Sequence, residues 1–340
     1  MDSGIAQIRP TTDPAAVAMA VAQADTVQFD ESLSFVLLDA VARALREHPE
    51  VRFRVYGTAL DPSLAFLRDF EDVRHLLVDM WEVSSFDRLG NFRNLITLGL
   101  GATRSKRPSL RFLRELPQLA TLYIHGHEKD FPAVAELRTL RNLHLGACPV
   151  RDISCLRNAN LERLVINFGG LRQLQALAEM PRLRDLELFQ IRQLNSSDLH
   201  PLGAMPSLQA LVLGNLRNVT TLEFLTGNPK TTLQFLELEG LVNLASLQPL
   251  EKCQRLRACC LSTSRARDKS LRPLPAASNL DDVTIGDVYP TVEVAGLRHT
   301  FRGQRLWYRG EYLKGGPSTF SAELAWRRLF QYVDRMRAPG

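Results

Sequence analysis

A six-residue frame with apolar residues at its first, fourth and sixth positions recurs ten times and limits the folds open to this chain. The frames begin 21 to 25 residues apart, at Val73, Leu95, Leu119, Leu140, Leu161, Leu183, Leu208, Leu233, Leu256 and Leu280. Of the thirty positions that define the frames, twenty-nine are aliphatic and one is Cys259. A unit this short cannot bury its own apolar face, so stacked copies must share one continuous core.

Each frame predicts one β-strand, because successive side chains of a strand point to opposite faces. The last two apolar positions of a frame therefore point inward, and the residues beside them point outward. Short connections between frames predict a parallel sheet whose other side carries the return segments. Since those segments are bulkier than the strands, we expect the sheet to curve, with the outward residues on its concave face.

The second half of each repeat indicates a subtype. Residues 148–156 read C-P-V-R-D-I-S-C-L, residues 216–225 read L-R-N-V-T-T-L-E-F-L, and residues 241–250 read L-V-N-L-A-S-L-Q-P-L. These segments resemble the N-x-I-x-D-I-x-P-L segment of short leucine-rich repeats, as in a protein-phosphatase regulator and bacterial internalins. The resemblance covers about residues 50–290. It implies an α/β solenoid with short helical or 3-10 return segments that acts by binding partner proteins.

The chain departs from many repeat families at one position. Three residues after the last frame leucine, those families place an asparagine whose side chain bonds neighbouring backbones. Here the site holds residues such as Thr103, Cys148, Gly169 and Leu241. We therefore expect a less regular superhelix with poorly defined turns.

The frames divide the chain into four stretches. Residues 1–25 are expected to be loose, and residues 26–72 to form an N-terminal cap with a degenerate first repeat. The ten frames occupy residues 73–290. Residues 291–340 are expected to form a C-terminal cap.

Within the caps, apolar spacing predicts a helix over Leu33–Glu47 and a strand over Val51–Tyr56. Residues Thr291–Tyr312 are predicted to form short strands. Residues Ser321–Arg337 are predicted to form an amphipathic helix, with Ser321 as its N-cap.

Composition excludes several classes of protein. No apolar run approaches the roughly 18 residues that cross a bilayer, and no secretory leader is recognisable. Five cysteines without paired spacing argue against disulfides and favour a reducing, cytoplasmic setting, with delivery into a host cell left open. Arginine greatly outnumbers lysine and alanine is abundant, which suggests a bacterial source. No phosphate-binding glycine loop or nucleophile elbow is present, so we predict no enzyme activity and no cofactor.

The outward residues predict a protein-binding surface, because exposed aromatic residues beside charges anchor protein interfaces. Three aromatic side chains are the expected anchors: Tyr123, Phe189 and Phe235. An acidic group among them favours a partner with a basic surface: Asp185, Glu187, Glu237 and Glu239. The remaining candidate contact residues are His125, His144 and Arg163. The sequence does not indicate the oligomeric state.

Alternatives to this surface remain. His125, His127 and His144 lie on adjacent repeats, where the favoured interpretation is ordinary polar surface rather than a metal site. Leu306–Gly310 and Ser318–Ser321 faintly resemble motifs of ADP-ribosyltransferases or the start of an FRG domain, which would make Arg309 a catalytic candidate.

Basic clusters in two return segments suggest nucleic-acid binding, although no aromatic residues interleave them for base stacking. These clusters are Arg104, Lys106, Arg107, Arg111 and Arg114, then Arg265, Arg267, Lys269 and Arg272. The leading hypothesis is a bacterial regulator, effector or immunity protein that binds another protein.

Overall fold

The computed structural model describes residues 4–105, 108–226, 232–277 and 279–316. The chain forms two compact units, unit 1 over Met1–Leu208 and unit 2 over Gln209–Gly340. Both are built from the same element, a strand followed by a return segment.

Unit 1 contains a parallel sheet in which each strand pairs with the next one along the chain. Its described strands are β1 (Ile5–Gln7), β2 (Thr26–Phe29), β3 (Arg52–Gly57), β4 (His75–Met80), β5 (Thr97–Leu100), β6 (Thr121–His125), β7 (Asn142–Gly146), β8 (Arg163–Asn167) and β9 (Asp185–Phe189). Its α-helices are α1 (Val17–Ala22), α2 (Phe35–Glu47) and α3 (His200–Gly203). Short 3-10 helices form the other return segments: Pro14–Ala16, Ala65–Phe70, Asp87–Asn91, Arg111–Glu115, Phe131–Glu136, Ser154–Leu156, Gln175–Glu179 and Ser197–Leu199.

Unit 2 continues this construction until its last strand. Its described strands are β10 (Ala210–Gly214), β11 (Phe235–Glu239), β12 (Ala258–Leu261), β13 (Asp282–Ile285), β14 (Arg305–Tyr308) and β15 (Glu311–Lys314). The pairing is parallel up to β14, and β15 then pairs with β14 in the antiparallel direction. The helices are α4 (Pro273–Ala276) and α5 (Thr291–Thr300), with 3-10 segments at Glu223–Leu225 and Gln248–Lys252.

The core lies between the strands and the return segments, as the frame predicts. Leu122, Leu143 and Leu164 are Cα partners on successive strands, and all three side chains are buried. Phe86 and Leu113 of the return segments are buried as well. Truncating such a buried leucine to alanine typically costs about 2–5 kcal/mol, so the leucine columns hold neighbouring repeats together.

A backbone ladder defines the turn that follows several of the strands. The residue after the strand adopts a left-handed conformation at Gly126, Ala147 and Phe168 in unit 1, and at Asn215 and Gly240 in unit 2. At four of these positions, Gly126, Ala147, Phe168 and Asn215, the N–H donates a hydrogen bond to the last carbonyl of the next strand, at 2.7 Å from Ala147 and 3.0 Å from Phe168. This ladder supplies the turn definition that the missing asparagine side chains would have given.

Both ends of the chain differ from the sequence expectations. Residues 4–25 are not loose, because β1 pairs with β2 and α1 buries Val17 and Val21. The helix predicted from Leu33 begins at Phe35, where the Ser34 hydroxyl accepts a hydrogen bond from the N–H of Leu37 at 3.3 Å.

The predicted short strands after residue 290 are half correct. Thr291–Thr300 is helix α5, which buries Val294 and Leu297 at helical spacing, whereas β14 and β15 are strands. The helix predicted over Ser321–Arg337 lies outside the described residues. The division into caps and repeats stays a prediction.

The left-handed ladder predicts an unusual stabilising substitution. An L-residue in this conformation costs about 1–2 kcal/mol, whereas glycine is nearly free of that cost. We expect Ala147→Gly, at a φ of 48°, to raise the free energy of unfolding by about 0.5–1 kcal/mol in urea titration. Ala159 is also half-buried but has no positive φ, so Ala159→Gly should lower it by a similar amount. A loss of stability in both variants would contradict the strain argument.

Candidate functional site

The outward side chains of the strands form a surface opposite the 3-10 segments, which we call the open face. In unit 1 the open face brings the predicted site residues together on four adjacent strands, β6 to β9. Strand pairing sets Tyr123 beside His144, Arg163 beside Asp185, and Asn167 beside Phe189. All seven unit 1 candidates lie on this face: Tyr123, His125, His144, Arg163, Asp185, Glu187 and Phe189.

The centre of this face is more enclosed than the sequence suggests. His144 is 6% exposed, Arg163 is 8% exposed and Val165 is 2% exposed. The Asn167 amide nitrogen lies 3.2 Å from Nε2 of His144, and the Tyr123 ring lies 5.8 Å from the imidazole. Because an amide N–H donates, this contact favours the His144 tautomer whose Nε2 accepts. His144 and Arg163 therefore order the middle of the face rather than projecting from it.

The accessible part of the face is its rim. Tyr123 and His125 are half-buried along β6, and Asp185, Glu187 and Phe189 are half-buried along β9. A ligand that approaches the open face of unit 1 thus meets the rings of Tyr123 and His125 on one side. On the other side it meets the carboxylates of Asp185 and Glu187 and the ring of Phe189.

Sequence reasoning missed Phe168, the residue that follows β8. Its side chain is 55% exposed, and its ring packs edge-on against Phe189 at 5.9 Å. It occupies the left-handed turn position that Gly126 and Ala147 fill in the two preceding repeats. The available signal was a phenylalanine one residue beyond the outward columns, at a position where all but one of the other repeats carry a small or polar residue.

Unit 2 presents a different open face. Phe235 was expected to be an exposed anchor, and this is wrong because the side chain is only 2% exposed. It packs in a small apolar cluster with Ala210, Ala258 and Val212.

Two glutamates follow Phe235 along β11. The Ser262 hydroxyl donates a hydrogen bond to Glu237 at 3.3 Å. Glu239 is half-buried, and burial raises the pKa of its carboxyl. Unit 2 therefore combines a covered aromatic residue with partly desolvated acids.

Comparison with solved structures finds proteins with a fold similar to that of this chain. An internalin (InlF) from Listeria monocytogenes is similar with a TM-score of 0.52 and 16% sequence identity, over 79% of this chain and 83% of the internalin. A chain in the Toll–Spatzle complex of Drosophila is similar with a TM-score of 0.53 and 16% identity, over 83% of this chain and 40% of that chain. No protein-family model matches the sequence, and no curated protein matches it.

The fold is a leucine-rich-repeat solenoid. In repeat proteins of this kind, many side chains on the open face are not needed for stacking of the repeats.

The histidines of the leucine-rich repeats do not converge. His127 is buried, and its ring packs edge-on against Phe86 with 5.0 Å between the ring centres. Its Nε2–H donates a hydrogen bond to the Gly101 carbonyl at 2.8 Å. His125 and His144 instead lie on the open face. Across the described ranges, no group of three histidine, cysteine or acidic side chains is placed to hold a metal ion.

The cysteines are all free thiols. Cys259 fills a core position of its repeat, and burial raises the pKa of its thiol well above the ordinary value. Cys260 is half-buried on the open face of unit 2, where its sulfur lies 3.3 Å from the Ser262 hydroxyl.

Arg309 lies in a hairpin turn. Arg309 and Gly310 both have positive φ and connect β14 to β15. The guanidinium pairs with Asp287 at 2.5 Å and lies 5.2 Å from the centre of the Tyr308 ring. The second half of the transferase resemblance, Ser318–Ser321, lies outside the described residues.

Three arginines of the first basic return segment are paired with acidic neighbours. Arg111 pairs with Asp130 at 3.2 Å, and Arg114 pairs with Glu136 at 2.7 Å, in each case with the following repeat. Arg104 pairs with Glu82 at 3.7 Å. Lys106 and Arg107 lie outside the described residues. These pairs reduce the positive potential that binding to phosphates would require.

No helix within the described ranges has both the length and the apolar character needed to cross a bilayer.

His127 predicts a specific pH dependence of stability. Burial lowers the pKa of His127, and protonated Nδ1 would find no acceptor within the described residues. Because the unfolded chain takes up a proton that the folded chain resists, stability falls as pH drops below about 6.5, by at most about 1.4 kcal/mol per pH unit. Urea unfolding at pH 7.5 and 5.5 should show a smaller acid loss for His127→Gln than for the native protein.

The pKa of His75 is also lowered, mainly by burial, so His75→Gln should reduce the acid loss in the same direction. An unchanged pH dependence in His127→Gln would show that His127 titrates normally.

Proposed function

We propose that this protein is a protein-interaction module that binds a partner protein on the open face of unit 1. The observation that supports this most directly is Phe168, a large apolar side chain that is 55% exposed in a left-handed turn. Such a conformation is uncommon for a bulky residue. The fold gains little from a phenylalanine here, since glycine and alanine serve the same turn in the two preceding repeats.

Contact with a partner protein explains why a strained aromatic residue is kept at an exposed position. Phe168 packs on Phe189, and together they form a continuous aromatic edge next to the carboxylates of β9. Aromatic side chains that become fully desolvated on binding supply most of the affinity at protein interfaces. We therefore assign Phe168 and Phe189 as the anchors of this interface, with Tyr123 on the far side of the face.

The charge at the rim suggests the chemistry of the partner. Asp185 and Glu187 project on the same face of β9 as Phe189. Two carboxylates beside apolar anchors attract a partner with a basic surface and accelerate its encounter with this face.

The thiols support a reducing compartment, because none of the five cysteines, all of them among the described residues, forms a disulfide. We propose that the protein acts in a bacterial cytoplasm or, after delivery, in a host cell. The roles of regulator, effector and immunity protein differ in where the partner is made. Capture experiments with bacterial lysate, with host lysate and with a purified toxin distinguish these three roles.

Phe168→Gly separates binding from folding. We expect this variant to keep or slightly raise the free energy of unfolding, because it removes the strained conformation. Binding to a partner captured by the native protein should weaken by at least roughly tenfold, as for loss of a central aromatic contact. Calorimetry with the purified partner measures the change.

Phe35→Ala is the matched control, since Phe35 is a more exposed phenylalanine that lies on α2 rather than on the open face. It should leave the dissociation constant unchanged. Equal affinity of the native protein and Phe168→Gly would place the binding site elsewhere.

The carboxylates predict a salt-sensitive association rate. The double variant Asp185→Asn and Glu187→Gln should bind the same partner more slowly in low salt, with the difference shrinking as ionic strength rises. Stopped-flow measurements at two salt concentrations test this. An identical salt dependence in variant and native protein would exclude these carboxylates as the source of steering.

A further inference from the structure

Asn167 has one unsatisfied polar atom in the centre of the unit 1 open face. The residue is 7% exposed, and its amide nitrogen contacts Nε2 of His144 at 3.2 Å. Its Oδ1 is buried and accepts no hydrogen bond from any of the described residues. A buried carbonyl oxygen without a donor is uncommon in folded proteins, because it loses its contact with water and gains no bond in return. A donor supplied by a bound molecule would remove this cost.

The backbone beside Asn167 gives an approach for such a donor. Gly146, its Cα partner on β7, has no side chain. The three heavy atoms nearest to the position of a Cβ at Gly146 all belong to the half-buried imidazole of His125. A side chain that enters above Gly146 therefore reaches Asn167 once the His125 ring turns aside into another rotamer.

The other surroundings of Asn167 are aromatic and acidic. Phe189 is its Cα partner on β9, Phe168 follows it in the chain, and the two rings pack edge-on at 5.9 Å. Glu187 precedes Phe189 by two residues on the same face, which places it about 8 Å diagonally across from Asn167. Arg163 is four residues back along β8, about 13 Å away. The carboxylate of Glu187 is therefore the nearer charge.

A guanidinium group matches the acceptor, the rings and the acid together. It is planar, it stacks on aromatic rings, and its several N–H donors can serve an amide oxygen and a carboxylate at once. A lysine ammonium is more strongly hydrated and has no flat surface for stacking. An apolar side chain would match the rings but would leave Oδ1 of Asn167 without a donor.

We propose that an arginine of the partner protein enters above Gly146, packs against Phe189, and donates a hydrogen bond to Oδ1 of Asn167 with Glu187 close by. This assignment rests on the proposed binding of a partner to unit 1, and it names the side chain that the partner contributes. Asn167 then determines specificity, because an arginine satisfies its buried oxygen and an apolar side chain does not.

Three short peptides test this assignment on the full chain. They are acetylated and amidated, with the sequence Gly-Leu-Xaa-Leu-Gly, where Xaa is arginine, lysine or norleucine. The arginine peptide should shift the NMR signal of the Asn167 side-chain amide in a saturable way, with an affinity at least roughly tenfold above those of the other two. Equal affinity of the arginine peptide and either other peptide would overturn the proposal, as would an unshifted signal at millimolar arginine peptide.

Two substitutions at Asn167 should change the affinity in opposite directions. Asn167→Leu removes the acceptor at similar size and should weaken binding of the arginine peptide by about tenfold. Asn167→Asp keeps an acceptor and adds a negative charge, so it should strengthen binding. In both variants the backbone amide of Gly146 reports binding by NMR, and urea unfolding checks the fold. A merely structural role of Asn167 would weaken binding in both, and that result would contradict the proposal.

Asn142→Leu is the matched control. Asn142 is a second asparagine on the open face, on β7, and its amide donates a hydrogen bond to the Thr121 hydroxyl at 3.1 Å. This variant should leave the affinity for the arginine peptide unchanged. A loss equal to that of Asn167→Leu would show that any asparagine of the face serves equally, against the proposed role of Asn167.

A captured partner separates failure of this assignment from failure of the proposed interface. If Phe168→Gly weakens partner binding while Asn167→Leu and Asn167→Asp bind like the native protein, the interface is supported and the arginine assignment is wrong. If the partner binds Phe168→Gly as tightly as the native protein, the interface itself is wrong, whatever the peptides show at Asn167.

Discussion

Parallel pairing between neighbouring repeats is the interaction on which everything else here depends. A single strand with its return segment has an apolar side and nothing of its own to place against it, so Leu143 is buried only because Leu122 and Leu164 lie on either side. The same stacking aligns the turn after each strand and lets its N–H reach the next strand end, as at Ala147. Core and turn therefore follow from one repeating contact, and this contact does not require a particular side chain at most positions of the open face.

Because the stacking contact leaves these positions open to many residue types, a strained and exposed aromatic residue can occur beside the open face. Phe168 keeps a bulky ring in a conformation that suits glycine, and Phe189 supports it from the next strand. In contrast, the arginines of the return segments serve the stack itself, because Arg114 reaches Glu136 of the following repeat. The charged side chains of the return segments thus contribute to cohesion between repeats, whereas Phe168 and Phe189 contact each other on the opposite side of the sheet.

The frame predicted the strands from β4 to β13 well because each carries two inward apolar residues at fixed spacing. The same logic could not find β1, a three-residue strand whose inclusion depends on pairing with β2. Phe235 was misjudged because alternation shows which way a side chain points but not what covers it. Phe168 was missed because its exposure arises from a backbone conformation that hydrophobic periodicity does not encode. Sequence patterns thus specified the core and the faces, whereas burial on the open face depended on contacts remote in the chain.

The reversal of direction at β15 has a consequence for solubility. A stack of parallel strands has no intrinsic last member, and an open edge can recruit the edge of another molecule and grow into a fibre. Here the edge of β14 is occupied by a strand that runs the opposite way and carries Glu311 and Lys314. An incoming strand must therefore pair beside ionic side chains and against the direction of the repeat. Among the described strands, the hairpin at Arg309 and Gly310 therefore disfavours end-to-end pairing at this edge of the sheet.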